Sequence, residues 1–350
     1  MVRLKDIAER AGVSVMTVSK ALRDEPDVSA ATKARIKLLA KEMGYVPDST
    51  AQGLRTRTTK LFGLVIPSNT DPIFARLVLG IEERAHELGY DIMLMHTLNN
   101  PEREEICVRR LLSRRVDGIF IAPVYRIDPE ARIYQELLAR RTPVVLLGPP
   151  AKFCNPFAAV QTDDLLGSFS ATQHLLSLGH QQIAYFTGPT AAPWAQERFE
   201  GYRRALREAG SDVDERLVFQ AGGSVEDGAK AALQMLNEGA KPTAIQAASD
   251  LVAIGAADAL LNQGLRIPRN LSIIGFGNIL TSEFFRVPLS TINQPKFRLG
   301  TAAVETMMPL LKGEKVESKR LPTELILRAS TGSPEKENPA AQPRFGTPAA

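Results

Sequence analysis

Cysteine occurs only twice in 350 residues, as Cys107 and Cys154, and neither belongs to a Cys-x-x-Cys pair or sits beside a histidine cluster. That scarcity excludes a disulfide framework and a structural zinc site, and it points to a reducing compartment. The four histidines, His86, His96, His174 and His180, are scattered, with no metal-ligand spacing and no triad partner. Gly-x-Ser-x-Gly, a Walker loop and Gly-x-Gly-x-x-Gly are all missing, so no nucleophile turn or phosphate-cradling loop supports chemistry. No catalytic residue, metal or cofactor is expected. No run of about 18 apolar residues is present to span a bilayer, and the first residues lack the apolar core of a signal peptide. These absences leave a cytoplasmic protein that is not an enzyme. Hydrophobic residues at 44% and charged residues at 23% are ordinary for a globular chain, and the length fits two or three domains.

What is present begins at Leu4. From there to Leu22 the chain reads as two short helices joined by a tight turn. Leu4, Ile7, Ala8 and Ala11 share one face at helical spacing. Gly12 stands where a helix end favours a left-handed residue, and Val13 plugs the core beneath the turn. Ser14 is a good N-cap for the second helix, in which Val18, Ala21 and Leu22 point inward. Val15, Met16, Ser19 and Lys20 are left outside. This is the form of a helix-turn-helix, whose second helix can lie in the DNA major groove. Ser29 caps a third helix, Ala30 to Met43, with Ile36, Leu39, Ala40 and Met43 as the third wall of a small core. Gly44 ends it. The alternative is a helical hairpin of any globular protein.

The charge distribution supports the first reading. Residues 1–60 carry twelve basic and seven acidic residues, whereas the remainder carries 31 basic and 32 acidic. The positive excess lies where attraction to phosphate would help. A linker follows at residues 46–60, with a helix candidate around Ser49–Arg55 that is too short to be stable alone.

From Leu61 the pattern changes. Short apolar runs (61–66, 91–95, 117–122, 143–147, 158–161) alternate with amphipathic helices (74–88, 102–114, 134–139). A second series repeats the scheme, with strands at 182–187, 217–220, 244–248 and 272–276 and helices at 165–178, 197–209, 226–237 and 251–263. A helix at 296–311 and a strand at 323–328 close it. Such alternation predicts an α/β fold with two parallel sheets and helices on both faces. Two similar halves suggest a hinged, two-lobed body with a cleft at the carboxyl ends of the strands. Residues 333–350 read as a disordered tail, without the leucine heptad of a tetramerising helix.

Several motifs occur in order along the chain: Asp6-Ile-Ala, Ala11-Gly-Val-Ser, Thr17-Val-Ser, Gly44-Tyr-x-Pro and Ala51-x-x-Leu54. They are followed by Asp117-Gly, Leu178-Gly-His, Arg198-x-x-Gly201-Tyr, Asp250-x-x-Ala-x-Gly and Ser290-Thr-x-x-Gln294-Pro. In these the chain resembles the lactose-repressor/galactose-repressor family of bacterial transcription regulators over residues 3–332. The resemblance implies a head at 1–45, a hinge at 46–60 and a periplasmic-binding-protein-like effector and dimerisation body at 61–332. It implies three crossings between lobes, near 162, 291 and 323. It further implies that Val15, Met16 and Lys20 read bases and that Leu4, Ser14, Thr17, Ser19, Ser29 and Thr32 hold phosphates. Chemically, Lys20 can donate to guanine, while Val15 and Met16 offer only apolar contact, such as with a thymine methyl. Ala51, Leu54 and Arg55 would enter the minor groove from paired hinge helices, with Leu54 as the wedge.

Effector-binding candidates lie at strand ends: Phe74, Asp163, Trp194, Arg198, Asp250 and Asn278. Phe74 could instead be core, Arg198 an internal partner, and Asp250 a helix cap. One departure from the resembled pattern is Gly277, where an acidic residue usually binds effector hydroxyls; Asn278 follows it. Gly222 and Gly223 stand where an aromatic wall sometimes occurs. The expected partners are an operator duplex, a sugar or sugar derivative, and a second copy of the chain, met in part through the 74–88 and 102–114 helices. A solute-binding protein would share the body but not the head.

Overall fold

Helix α1, Leu4–Ala11, closes its first turn through the Arg3 N–H, which donates to the Asp6 carboxylate at 2.8 Å. It ends at Gly12, whose φ of +64° suits a residue without a Cβ. The computed structural model describes residues 2–46, 58–128 and 130–335. Ser14 then caps α2, Val15–Leu22, by accepting from the Thr17 N–H at 3.1 Å. Ser29 does the same for α3, Ala30–Glu42, through Thr32 at 3.3 Å. Ile7, Ala8, Ala11, Val18, Ala21, Ile36 and Ala40 are buried together with Val28, from the connection between α2 and α3. Arg35 ties α3 to the end of α1 by donating to the Ala11 carbonyl at 3.0 Å. The segment Met1–Thr59 forms one compact unit and Lys60–Ala350 a second. The expected hinge helix and the tail beyond 335 lie outside the described residues.

The second unit holds two six-stranded sheets. The first contains β1 (Leu61–Ile66), β2 (Asp91–His96), β3 (Gly118–Ile121), β4 (Val144–Leu147), β5 (Ala158–Thr162) and β11 (Lys319–Leu321), all parallel, in the order β11-β5-β4-β3-β1-β2. The second contains β6 (Ile183–Thr187), β7 (Val218–Gln220), β8 (Ala244–Ala247), β9 (Ser272–Gly277), β10 (Ser290–Asn293) and β12 (Glu324–Ile326), in the order β12-β10-β9-β8-β6-β7. Only β12 runs antiparallel, against β10. Near-continuous burial of β1, β3, β4, β8 and β9 is what a parallel sheet covered on both faces requires.

Helices cover both faces of each sheet. In the first lobe, α4 (Pro72–Glu87) and α12 (Lys296–Leu311) bury one face, and α5 (Pro101–Ser113) and α6 (Arg132–Ala139) the other. In the second lobe, α7 (Asp164–Ser177) and α8 (Pro193–Glu208) oppose α9 (Val225–Asn237) and α10 (Asp250–Asn262). The α4–α12 crossing is close: a Cβ on Gly80 would meet the Phe297 carbonyl oxygen at 2.3 Å, and one on Gly300 would meet that of Leu77 at 2.3 Å. Glycine is therefore required there for packing.

The chain changes lobes three times, between β5 and α7, between β10 and α12, and between β11 and β12. Three elements differ from the sequence reading, one of them β10, Ser290–Asn293, which no apolar run announces. Lys319–Leu321 pairs as β11 beside β5 although its charged residues give no apolar run. A short helix α11, Leu280–Phe284, follows β9 where no helical period was expected.

Candidate functional site

In the head, α2 presents Val15 and Met16 on its first turn, 44% and 64% exposed. Lys20 lies one turn further along, and its ammonium is held by the Asp27 carboxylate. The Ser14 and Thr17 hydroxyls share a hydrogen bond of 2.9 Å at the start of α2. Ser29 and Thr32 repeat that arrangement at the start of α3, also at 2.9 Å. Each helix therefore begins with a capped turn and a polar rim. Ser19 is half-buried, and its carbonyl accepts from Arg23 Nε at 2.9 Å. Leu4 is half-buried against the head core, so its side chain contributes packing. Ala51, Leu54 and Arg55 lie outside the described residues.

In the body, a cavity of about 420 Å³ is lined from both lobes. That volume falls within the roughly 300–1,000 Å³ of small-molecule sites. Of the six sequence candidates, Phe74, Trp194, Arg198 and Asp250 border it. Asp163 and Asn278 do not. The Asp163 carboxylate turns back to cap α7, accepting from the Leu166 N–H at 3.2 Å; its neighbour Asp164 borders the cavity instead. Asn278 sits at φ +51° and spends its side chain on Asn293 at 3.2 Å and Arg328 at 2.8 Å. Tyr125 and Gln161 also border the cavity and were not singled out from sequence, because a strand end facing a cleft has the same residue pattern as one facing the core.

Arg198 is buried, and two of its nitrogens reach Asp164, Nε at 3.0 Å and Nη2 at 2.9 Å. Nη1 donates to the Ala248 carbonyl at 2.6 Å. The guanidinium lies 3.7 Å from the Phe276 ring centroid and 4.6 Å from that of Trp194. Internal pairing, one of the two sequence readings of this residue, is therefore present in full. Asp250 is fully buried and is not itself the cap of α10, which is Ser249. It accepts from Ser282 Oγ at 2.7 Å, Thr291 Oγ1 at 2.5 Å and the Ile279 N–H at 2.9 Å. Burial raises its pKa against the pull of those donors.

The crossings are polar. Gln294 Nε2 donates to Thr162 Oγ1 at 2.9 Å, and Thr162 donates in turn to Asp164 at 2.5 Å. Lys296, opening α12 beside the first lobe, donates to the Gly277 and Asn278 carbonyls at 2.5 and 3.0 Å, at the end of β9 in the second. Burial pushes its pKa down to about 8. Gly277 has φ +136°, and a Cβ there would meet Ile73 Cδ1 at 3.1 Å and Asp250 Oδ2 at 3.5 Å.

A small three-helix head in one chain with a two-lobed α/β body around a cleft defines a DNA-binding protein of the helix-turn-helix type with a periplasmic-binding-protein-like domain. Residues 3–48 match the model of bacterial regulatory proteins of the lacI family, and residues 59–329 match that of periplasmic binding proteins and the sugar-binding domain of the LacI family. The chain belongs to the lacI family of bacterial transcriptional regulators.

It is 33% identical over 328 residues to the HTH-type transcriptional regulator DegA of Bacillus subtilis, covering 93% of this chain and 97% of that one. It is also 33% identical over 341 residues to the HTH-type transcriptional repressor PurR of Pasteurella multocida, covering 95% and 99%. The structure resembles that of the lac repressor dimer bound to operator and the anti-inducer ONPF, with a TM-score of 0.85 and 30% identity over 95% of this chain and 99% of that one.

Proposed function

We propose that this regulator is a homodimeric, cytoplasmic repressor without catalytic activity. It binds a near-palindromic operator, and a small molecule of the sugar or sugar-derivative kind controls its DNA affinity from the interlobe cleft. The observation that carries this reading is the union, in one chain, of a capped helix exposing Val15 and Met16 with a 420 Å³ cavity lined from both lobes. We assign the head to 1–45, the hinge to 46–60, the body to 61–332 and the tail to 333–350. Val15, Met16 and Lys20 read base edges, and Ser14, Thr17, Ser19, Ser29 and Thr32, with the start of α1 at Leu4, hold the backbone. Ala51, Leu54 and Arg55 form the minor-groove hinge.

Two-fold symmetry of the dimer maps onto two half-sites. Ligand controls DNA binding only by its differential affinity for the two arrangements of the lobes. The solved neighbours support the assembly and ligand classes: one is a lac repressor dimer on its operator, another a CelR–cellobiose complex. The test is selection of duplexes from a random pool by the full chain, followed by titration of the selected site. Recovery of an inverted repeat bound by two chains is the expected result. Enrichment of no sequence, or of an asymmetric one, would contradict the proposal.

A further inference from the structure

Every charged group at the edge of the cleft already has a partner. Arg198 uses three of its nitrogens on Asp164 and the Ala248 carbonyl. Asp250 already accepts from two hydroxyls and one backbone N–H. Asp71 caps α4, accepting from the Ile73 N–H at 2.9 Å. At Gly277 there is no side chain, and a carboxylate placed there would face Asp250.

Gln161 is different. It lies on β5, borders the cavity, and its Oε1 is buried without a hydrogen-bond partner. Buried polar atoms are nearly always paired, so an orphaned acceptor on a residue that borders the cavity can gain its partner by turning toward a donor that arrives with the ligand. The surrounding wall is mainly hydrocarbon, and Phe74, Tyr125 and Trp194, all half-buried, add aromatic rings from both lobes.

Resting on the effector role proposed above, we infer that the cleft selects a neutral ligand presenting a planar aromatic or heteroaromatic ring, with an N–H or O–H donor for Gln161 Oε1. An anion finds the one cation among the described lining residues committed to Asp164, with two further carboxyl groups nearby. A cation finds those carboxyls satisfied. A sugar alone would set part of its hydroxyls against a wall that is mainly hydrocarbon, and a ring attached to it would cover that wall instead. The ring can stand alone or be carried on a sugar; both sources supply the same recognition chemistry.

Trp194 is the single tryptophan of the chain and borders the cavity, so its emission reports occupancy. The full-length protein is titrated with benzamide, benzoate and benzamidinium, which share a ring and differ in charge. A second set is adenosine, ribose and adenosine 5′-monophosphate; a third is phenyl β-glucoside and glucose. Benzamide tests the free ring, and adenosine and phenyl β-glucoside test the ring on a sugar. The expected result is a saturable response to at least one neutral ring compound, with any charged member of its set at least about ten-fold weaker and any ring-free member silent.

Gln161→Leu and Gln161→Met should each weaken the responding ring compound by about ten-fold and, where that compound is benzamide, leave N,N-dimethylbenzamide, which lacks the donor, unchanged. Equal losses for both amides would remove Gln161 from the recognition. Tighter binding of ribose, glucose or a charged member than of its neutral ring partner overturns the ligand class while keeping the cleft as an effector site. Silence from every probe, together with operator binding that none of them alters, overturns both.

Discussion

Arg198 and Asp164 pair at 2.9 and 3.0 Å with both side chains buried, joining the first residue of α7 to the second turn of α8. Removing one partner strands the other charge in a site it cannot leave. Arg198→Ala should therefore destabilise the body by about 3–5 kcal/mol, the usual cost of breaking a buried pair. Chemical denaturation of the variant checks this. A loss below about 1 kcal/mol would mean that water reaches Asp164 freely. Loss of effector response in this variant is thus interpretable only at temperatures where the body remains folded.

Lys20 is held by Asp27 in the unbound head. Asp27→Asn should release it, tighten binding to any duplex, and steepen the salt dependence by about one counterion. Lys20→Ala should instead change which half-site is preferred. Fluorescence anisotropy across a salt series, on the selected operator and on a scrambled one, separates the two effects. An unchanged preference in Lys20→Ala would take this residue out of the base-reading group.

Arg320 on β11 forks onto Glu197 on α8, at 2.9 and 3.2 Å, and so links the two lobes. The pair is partly solvated, so its contribution to stability is below about 1 kcal/mol. Arg320→Ala should shift the melting temperature by no more than about 4 °C. It should nevertheless raise the radius of gyration of the unliganded body, because the lobes lose a cross-link at their edge. Small-angle scattering identical to that of the parent would show that the crossings alone fix the lobe angle.

His180 is buried against Thr243, Ser272 and the Gly332 carbonyl, and His174 meets Thr331 at 3.1 Å. Burial holds both imidazoles below the ordinary 6.5. Below that pH the unfolded chain takes up protons that the folded chain refuses, so stability is full above 6.5 and falls as pH drops toward the folded values. Melting temperatures between pH 7.5 and 5 should trace this decline. A His174→Gln, His180→Gln variant should flatten it, while melting lower at every pH for want of the native hydrogen bonds. A variant whose melting temperature changed with pH just as the parent's does would contradict the argument, since Asp71, Glu104, Glu197 and Asp250, raised by burial, act in the opposite direction in both proteins.

The head was legible because its signals are local: Ser14 and Ser29 cap their helices, Gly12 turns left-handed, and the inward positions recur at helical spacing. Both sheets were legible from apolar runs too short for helices. The cleft was harder. At Asp163-Asp164 the chain turns from strand to helix, and one residue's rotation decides which carboxylate faces the cavity and which caps the helix. Periodicity does not resolve that step, and the sequence reading picked the capping residue. Asn278 was misplaced for a similar reason: a left-handed residue after Gly277 swings its amide toward Asn293 and Arg328. Gln161 was silent because only three-dimensional burial shows that its oxygen lacks a partner. β11 was missed because its identity as a strand comes from β5, its partners 159 positions earlier in the chain, and not from its own residues.

The stretch Lys319–Ile326 supplies the edge strand of both sheets in turn. During synthesis it leaves the ribosome last among the described strands, more than 270 residues after the head core is complete. At roughly 5–20 residues per second, the head has on the order of tens of seconds in which it can be folded while neither lobe is finished. Chains terminated before residue 319 would thus hold the head helices but lack the strands that finish both lobes. In such fragments the sheet edges that Lys319–Ile326 covers stay open, and unpaired edges make an incomplete chain prone to aggregate.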